Sequence, residues 1–384
     1  MSNRSFQIPE AISVKFNQLV YEKKRAGIDV ITLSLGEAFF DFPKFSFDEL
    51  DIETGYHYSD SQGLPELRQK IAQYYNSQFD CVLDADENLL ISAGSKIIVY
   101  MAILITCDPG DEVLMMEPAW LSYEHQVSLA SCKPVCIPVD SSIGSIDQYV
   151  SEKSKLLIIN NPNNPTGRLY SKNEINTVVD YCRSKGITVM FDEAYSDFAE
   201  DGAFNSAANV YPDLEQVIVV NSLSKTMGMS GWRIGYVFAQ KSRIEEMLKV
   251  NQHLITCAPT ILQLFLAEHF EEIQTHTVPQ AKALNEKRSK VLAMLDEAGI
   301  PYFDGATTFY IFIDVGKFTN NTDYLAEFLL SEHNIAMVPG SAYGQSTSSC
   351  LRISIGVETL DRIQYAIDTL KSLLVVDSLN MPDH

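Results

Sequence analysis

The sequence has little positive charge and no long apolar run. Its 29 lysine and arginine residues are outnumbered by 50 aspartate and glutamate residues, which gives a formal net charge of −21 at pH 7. So acidic a chain suits neither nucleic acid nor an anionic membrane, and we expect neither as a partner. No apolar run approaches the ~18 residues of a membrane span, and residues 1–11 lack the apolar core of a signal peptide. These absences predict a cytoplasmic protein.

Patterns for metal and nucleotide sites are also missing. The seven cysteines include no C-x-x-C pair and most lie in apolar runs, which is typical of buried free thiols, so no metal site is predicted. The P-loop pattern G-x-x-x-x-G-K-[ST] is absent, which argues against that type of nucleotide site. With 384 residues, 46% of them hydrophobic, the chain is long enough for a large domain and a smaller one.

Five short apolar runs recur through the middle of the chain. They lie near residues 89, 113, 156, 187 and 217, and helical segments separate several of them. This alternation predicts an α/β fold with a mostly parallel sheet. Ligands of open α/β sheets bind beyond the carboxyl ends of the strands. We therefore expect the segments that follow these runs to form one convergent site.

The segment after the fifth run carries the most distinctive chemistry. Residues 221–236 read NSLSKTMGMSGWRIGY, with Lys225 among hydroxyl groups and Arg233 eight residues later. A lysine held beside a buried sheet loses its proton more readily, and the neutral amine can form a Schiff base with an aldehyde. Ser222, Ser224 and Arg233 would supply donors and positive charge for a phosphate.

Motifs between residues 36 and 355 resemble, in the same order, those of class I and II aminotransferases, which are pyridoxal-phosphate (PLP) enzymes of fold type I. They are GEAFFDFP at 36–43, GLPELR at 63–68, AGSK at 93–96, NPNNPTG at 161–167, DEAY at 192–195, SLSK…GWRIG at 222–235 and PG…LRIS at 339–354. The resemblance implies a large PLP-binding domain at residues 44–280, with a mostly parallel central sheet. It also implies a smaller α+β domain made of residues 1–43 and 281–384.

The resemblance further implies which residues hold the cofactor. Lys225 would bind PLP as an aldimine and act as general base and acid. Asp192 would keep the pyridine nitrogen protonated, and Tyr195 would reach the phenolic oxygen. Trp120 would stack on the ring. The phosphate and its surroundings would be held by Gly94, Ser95, Lys96, Ser222, Ser224 and Arg233, and by Tyr58 of a partner subunit in a homodimer with shared active sites.

Substrate contacts are implied in the same way. Arg352 stands in an apolar, strand-like run, where a guanidinium needs a partner, and an α-carboxylate is a natural one. Asn164 would donate to the same carboxylate and to the phenolic oxygen of PLP, and the segment at Gly36 would enter the substrate pocket. Ala38 replaces a proline of the family, and Tyr343 or Ala342 stands where many members have phenylalanine.

The predicted activity is transfer of an amino group between an L-amino acid and a 2-oxo acid. Lys96 favours aspartate or glutamate as substrate, whereas Phe39, Phe40 and Trp120 equally permit an aromatic or aliphatic side chain. A PLP-dependent carbon–sulfur lyase of the cystathionine type shares the scaffold and the lysine. A non-catalytic PLP-binding module is the further alternative, and at this point all three remain open.

The last third of the chain is predicted to contain helices at Ile261–Phe270 and at Pro279–Ala298. Residues Asp377–His384 are expected to form a loose tail.

Overall fold

The computed structural model describes residues 8–48, 50–319 and 321–375; the predicted tail at Asp377–His384 lies outside them. In chain order the strands are β1 (Ile31–Thr32), β2 (Leu89–Ser92), β3 (Glu112–Met116), β4 (Lys133–Ile137), β5 (Ser154–Asn160), β6 (Thr188–Asp192), β7 (Val217–Ser222), β8 (Gly235–Phe238), β9 (Tyr310–Asp314), β10 (Ile335–Ala336), β11 (Val338–Pro339) and β12 (Cys350–Ser354). The α-helices are α1 (Ile12–Arg25), α2 (Ile52–Gly55), α3 (Pro65–Gln78), α4 (Ser95–Thr106), α5 (Ser122–Leu129), α6 (Lys172–Ser184), α7 (Ala207–Val210), α8 (Leu223–Thr226), α9 (Lys241–Leu254), α10 (Thr260–Ala298), α11 (Thr322–His333) and α12 (Leu360–Val375).

Local sequence explains where several helices begin and end. Pro65 occupies the first turn of α3, where no intrahelical N–H is needed. Ser171 and Glu174 form a reciprocal capping box at the start of α6. Gly299 ends α10 in the left-handed conformation, at φ 73°.

A seven-stranded sheet forms the middle of the chain, in the order β2–β8–β7–β6–β5–β3–β4. Neighbouring strands are parallel, except that β8 runs antiparallel to both β2 and β7. The five apolar runs predicted from the sequence are β2, β3, β5, β6 and β7. The mostly parallel α/β sheet is therefore confirmed.

Alternate residues of these strands enter two separate hydrophobic clusters, because successive side chains point to opposite faces. Leu114, Leu157 and Val189 belong to the cluster covered by α3, α6 and the first part of α10. Leu156 and Met190 belong to the cluster covered by α4, α5 and α9. With helices on both faces, the parallel strands are almost continuously apolar.

A smaller sheet follows α10. Strands β11, β12 and β9 form an antiparallel sheet in that order. Strand β1 pairs in parallel with β10, so the N-terminal segment joins this part of the chain. A hydrophobic cluster unites Phe16 of α1 with Leu325 of α11 and Ile363 of α12. The exact bounds, 44–280 for one domain and 1–43 with 281–384 for the other, remain a prediction.

The prediction of two separate helices at Ile261–Phe270 and Pro279–Ala298 is wrong. One 39-residue helix, α10, spans both and contains Pro279. An interior proline removes one helical hydrogen bond and costs about 3 kcal/mol. The helix continues because it buries side chains on both sides of this point, including Thr277 and Ala281, while Pro279 itself faces solvent.

No helix of the described residues is both long and apolar enough to cross a membrane.

Replacing Pro279 with alanine is expected to stabilise the protein, because alanine restores the N–H donor missing from α10. Loss of proline's restraint on the unfolded chain offsets part of this gain. We expect a net gain of about 2 kcal/mol in the free energy of unfolding, or roughly 2–4 °C in the thermal midpoint measured by circular dichroism.

Pro65→Ala is the matched control, because Pro65 is also exposed but lies where a helix tolerates proline. This variant is expected to melt at or slightly below the wild-type midpoint. If Pro279→Ala also melts no higher than wild type, the proline does not weaken α10.

Candidate active site

Lys225 lies in the short helix α8, which directly follows the buried strand β7. Ser222 caps this helix: its hydroxyl accepts from the Ser224 N–H at 3.2 Å and donates to the Ser224 hydroxyl at 2.9 Å. The Lys225 ammonium donates to the carbonyl of Gly36. The segment predicted to enter the substrate pocket therefore lies against the predicted catalytic lysine.

Asp192 ends strand β6 and is 7% exposed. Its carboxylate accepts from the Tyr123 hydroxyl at 2.6 Å and from the Ala194 N–H at 3.2 Å. Burial raises the pKa of Asp192, while these hydrogen bonds and the charge of Lys225 partly oppose the rise. Because both donors are uncharged, a buried carboxylate remains available to a cationic nitrogen.

Tyr123 is a site residue that the sequence did not reveal. It lies in α5, within one helical turn of Trp120, and the two rings meet edge to face at 5.2 Å. Burial and the Asp192 charge raise the pKa of Tyr123, so its hydroxyl stays protonated and serves as a donor. The only indication in the sequence is that Tyr123 lies three residues after Trp120. This spacing does not predict that the Tyr123 hydroxyl reaches Asp192.

Arg352 lies in the middle of β12 and is 3% exposed. It donates to the Ser34 carbonyl at 2.6 Å and, more weakly, to the Asn164 side-chain oxygen at 3.5 Å. Its guanidinium carbon lies 4.4 Å from the centroid of the Tyr310 ring. The Arg352 Nε has no hydrogen-bond partner among the described residues. A buried guanidinium whose acceptors are uncharged suits a carboxylate ligand.

Asn164 and Asn160 connect Arg352 to Asp192, and Tyr195 joins this network through Asn164. The Asn164 side-chain nitrogen donates to the Tyr195 hydroxyl at 3.4 Å, and this hydroxyl lies 3.2 Å from that of Tyr310. Asn160 accepts from the Asn164 N–H at 2.6 Å and donates to the Asp192 carbonyl at 2.8 Å. Burial is the main cause that raises the pKa of Tyr195, and the interaction with Tyr310 raises it further. The Tyr195 hydroxyl therefore remains neutral.

Three cationic side chains gather at the start of α4. Arg233 donates to the Ser224 hydroxyl at 3.4 Å and approaches Gly94 so closely that a Cβ on this glycine would lie 2.3 Å from its guanidinium. Lys96 extends over the Trp120 ring, 5.0 Å from its centroid. Although Lys96 reaches solvent, the protein around its ammonium, together with Arg233 and Lys225, lowers its pKa.

This cationic group adjoins free backbone N–H groups at the start of α4, which begins at Ser95 after the left-handed Gly94. Helix starts and clustered cations both favour a phosphate. Asp192 in turn suits a protonated pyridine nitrogen, and Lys225 offers a primary amine. The residues present therefore fit PLP. In the described part of the chain, no group of histidine, cysteine, aspartate and glutamate is arranged to hold a metal ion.

The structure does not bring Tyr58 to this group of residues. Tyr58 is 83% exposed, and the nearby Tyr56 is 78% exposed. Within the described ranges, Tyr58 makes no hydrogen bond to the other predicted site residues. Ala38, which replaces the family's proline, is buried, whereas the following Phe39 is 63% exposed.

Comparisons with known proteins agree with this geometry. The family model for aminotransferases of class I and II matches residues 29–370. An aspartate aminotransferase of Pyrococcus abyssi is 32% identical over 359 residues, which cover 90% of this chain and 92% of that protein. The solved aspartate aminotransferase of Thermus thermophilus with maleate has a TM-score of 0.86 at 25% identity and covers 97% of this chain and 99% of its own. The aromatic aminotransferase of Pyrococcus horikoshii OT3 has a TM-score of 0.83 at 30% identity, with coverages of 92% and 98%.

These matches confirm the predicted fold type, and of the three functions left open by the sequence they support the aminotransferase. Enzymes of this group depend on PLP. Since the family model spans most of the chain, this protein belongs to the class I and II aminotransferase family.

Proposed function

We propose that this aminotransferase binds PLP through Lys225 and moves amino groups between an L-amino acid and a 2-oxo acid. The observation that carries the proposal is the convergence of three groups at one edge of the parallel sheet. These are the amine of Lys225, the buried carboxylate of Asp192 and the buried guanidinium of Arg352. When bound, PLP supplies an electron sink for the electron pair left by removal of the α-proton.

The protein groups have distinct roles in this proposal. Arg352 and Asn164 bind the substrate carboxylate and so orient the α-carbon toward Lys225. The Lys225 amine would take the proton from the substrate α-carbon as general base and, as general acid, would deliver it to C4′ of PLP. Asp192 keeps the cofactor nitrogen protonated, and Tyr123 orients the Asp192 carboxylate through its 2.6 Å hydrogen bond.

The cofactor would be held on its other sides by the remaining predicted residues. Trp120 would stack on the ring, and Tyr195 would donate to its phenolic oxygen. The phosphate would be surrounded by Gly94, Ser95, Lys96, Ser222, Ser224 and Arg233.

We also propose a homodimer in which Tyr58 reaches the partner's phosphate site. The high exposure of Tyr58 supports a role outside its own subunit. We further propose that the protein is cytoplasmic. We also propose that its large domain spans residues 44–280 and that its small domain combines residues 1–43 and 281–384.

Two substrate classes fit the site. The cationic Lys96 beside Trp120 supports a dicarboxylic amino acid, and the aromatic surface of Trp120 and Phe39 supports an aromatic one. Relatives and solved neighbours carry the names of both aspartate and aromatic aminotransferases. Steady-state rates with L-aspartate, L-glutamate and L-phenylalanine would separate the two classes.

Lys225→Ala is expected to abolish the visible absorbance of lysine-bound PLP and nearly all turnover, because it removes the primary amine that would form the Schiff base and move the α-proton. The test is an absorbance spectrum before and after addition of L-glutamate. Lys241→Ala removes an exposed lysine paired with Glu87 and should leave both readouts unchanged. Full activity in Lys225→Ala would refute the proposed function.

Asp192→Asn is expected to change stability in opposite directions with and without PLP. In the PLP-free protein the pKa of Asp192 is raised. The contribution of the protonated Asp192 to the free energy of unfolding is therefore fully present below the unfolded-state pKa of about 3.9. This contribution is lost as the pH rises through the pKa of Asp192 in the folded protein. An asparagine avoids this loss. PLP-free Asp192→Asn should therefore melt higher than wild type at pH 8, with a smaller difference at pH 5.

With PLP bound, the same variant should melt lower than wild type, and its kcat/KM should fall at least about a hundredfold, because the cofactor nitrogen loses its buried counter-charge. Asp180→Asn is the control, because Asp180 accepts a hydrogen bond from the Tyr211 hydroxyl and has no proposed role in the site. A variant that is less stable than wild type in both states would show that Asp192 has only a structural role.

Mixing two inactive variants tests the shared active site. If Tyr58 acts on the partner subunit, a hybrid of Lys225→Ala and Tyr58→Ala subunits contains one intact site. Random reassociation should then recover about a quarter of wild-type activity. The measurement is turnover after joint refolding, with each variant alone as control. No recovery from hybrids verified by mass spectrometry would place Tyr58 within its own subunit's site, whereas full activity of Tyr58→Ala alone would place Tyr58 outside the reaction.

A further inference from the structure

Tyr343 lies beside Arg352 and carries a buried hydroxyl group. It closes a turn at Gly340–Tyr343 directly after β11. Its ring is 1% exposed and packs edge to face on Phe312, with 5.7 Å between the centroids. The Arg352 guanidinium carbon lies 5.4 Å from the Tyr343 ring centroid. A polar atom is thus buried next to the proposed carboxylate-binding residue.

Neither the Tyr343 hydroxyl nor the Arg352 Nε has a hydrogen-bond partner among the described residues. Burial raises the pKa of Tyr343, and Arg352 partly opposes this rise through its charge and through an approach to the hydroxyl oxygen that falls short of hydrogen-bond geometry. The hydroxyl therefore keeps its proton near neutral pH. A guanidinium has donors only, so Arg352 cannot accept that proton. The two residues present buried donors side by side, and an anionic oxygen is the group that would satisfy them.

The turn that carries Tyr343 is hydrogen-bonded to the segment that follows β3 and contains Trp120. The Ala119 N–H donates to the Tyr343 carbonyl at 2.8 Å. The buried Glu117 carboxylate accepts from the Ser346 N–H at 2.9 Å and from the Ser346 hydroxyl. Gly344, at φ 142°, lies so near Glu117 that a Cβ would come within 2.3 Å of its carboxyl carbon. These contacts hold the Tyr343 ring in place beside Arg352.

We propose that the Tyr343 hydroxyl donates a hydrogen bond to the α-carboxylate of the amino acid bound by Arg352. This inference rests on the proposed function, which makes Arg352 the carboxylate site. The Tyr343 hydroxyl adds a neutral hydrogen-bond donor beside the guanidinium. Only a substrate that has an α-carboxylate can accept this hydrogen bond. Tyr343 thereby favours amino acids over the corresponding amines.

Tyr343→Phe tests the inference by removing only the hydroxyl. The KM of the amino acid is expected to rise about tenfold to hundredfold, as for loss of a hydrogen bond to a charged group, with kcat within about twofold of wild type. The probe pair is L-phenylalanine and phenethylamine, or L-aspartate and β-alanine, according to which amino acid the wild type uses. Half-reaction rates with the amine, which lacks the α-carboxylate, should be the same in both proteins.

Tyr211→Phe is the matched control: Tyr211 is also buried, but its hydroxyl donates to Asp180 at 2.8 Å and has no proposed part in the site. It should lower the thermal midpoint and leave KM unchanged. Tyr343→Phe should instead melt at or above wild type without substrate, because the hydroxyl has no partner within the described chain.

Three results would overturn the role of Tyr343: an unchanged KM for the amino acid, an equal loss with amino acid and amine, or a variant that fails to fold. The last would mean that the hydroxyl supports the protein itself. Failure of the proposed function would look different from failure of the Tyr343 role. In that case the wild-type protein itself would show no visible PLP absorbance and no half-reaction.

Discussion

The active site depends on buried charges whose neighbours within the chain do not neutralise them. Asp192 accepts only from uncharged donors, and Arg352 donates only to uncharged oxygens, among the described residues. Removing charges from water is costly unless an opposite charge compensates. The protein therefore carries, at one edge of its central sheet, a negative group and a positive group that are complementary to a cationic ring nitrogen and to a carboxylate.

Two different parts of the fold supply these groups. Asp192 and Lys225 follow parallel strands of the seven-stranded sheet, whereas Arg352 belongs to the antiparallel sheet and Gly36 to the segment after β1. Hydrogen bonds cross between the two parts, from Lys225 to the Gly36 carbonyl and from Arg352 to Asn164. The distance between amine and guanidinium is thus set by how the two sheets pack. The contacts that hold these two parts of the fold together therefore also set the geometry of the site.

The sequence predicted the central sheet and most of the site because both depend on local patterns. Apolar runs indicate buried strands, and a parallel sheet brings the segments that follow them to one edge. Lys225, Asp192, Asn164 and Arg352 each lie in such a segment or within a strand, and the family resemblance added their roles. The structure brings Lys225, Asp192 and Asn164 together, as expected from the strand ends, and Arg352 reaches Asn164 from the middle of β12; the individual roles of these residues remain predictions.

What the sequence did not reveal depends on contacts between distant residues. Helix α10 continues through Pro279 because its neighbours in space bury residues on both sides, which no local propensity encodes. The hydrogen bond from Tyr123 to Asp192 joins residues 69 positions apart. Tyr58 is different again: its predicted role involves a second subunit, and the geometry of a single chain cannot supply that contact.

The two buried charges share one further feature, which is a neighbouring tyrosine with a raised pKa. Tyr123 adjoins Asp192, and Tyr343 adjoins Arg352. A charged neighbour of opposite sign would satisfy each group but would also cancel the charge that a ligand needs to meet. A protonated hydroxyl adds a directional hydrogen bond and leaves the net charge intact. Tyrosine is therefore a neighbour that can orient a charge, or add a donor beside it, without neutralising it.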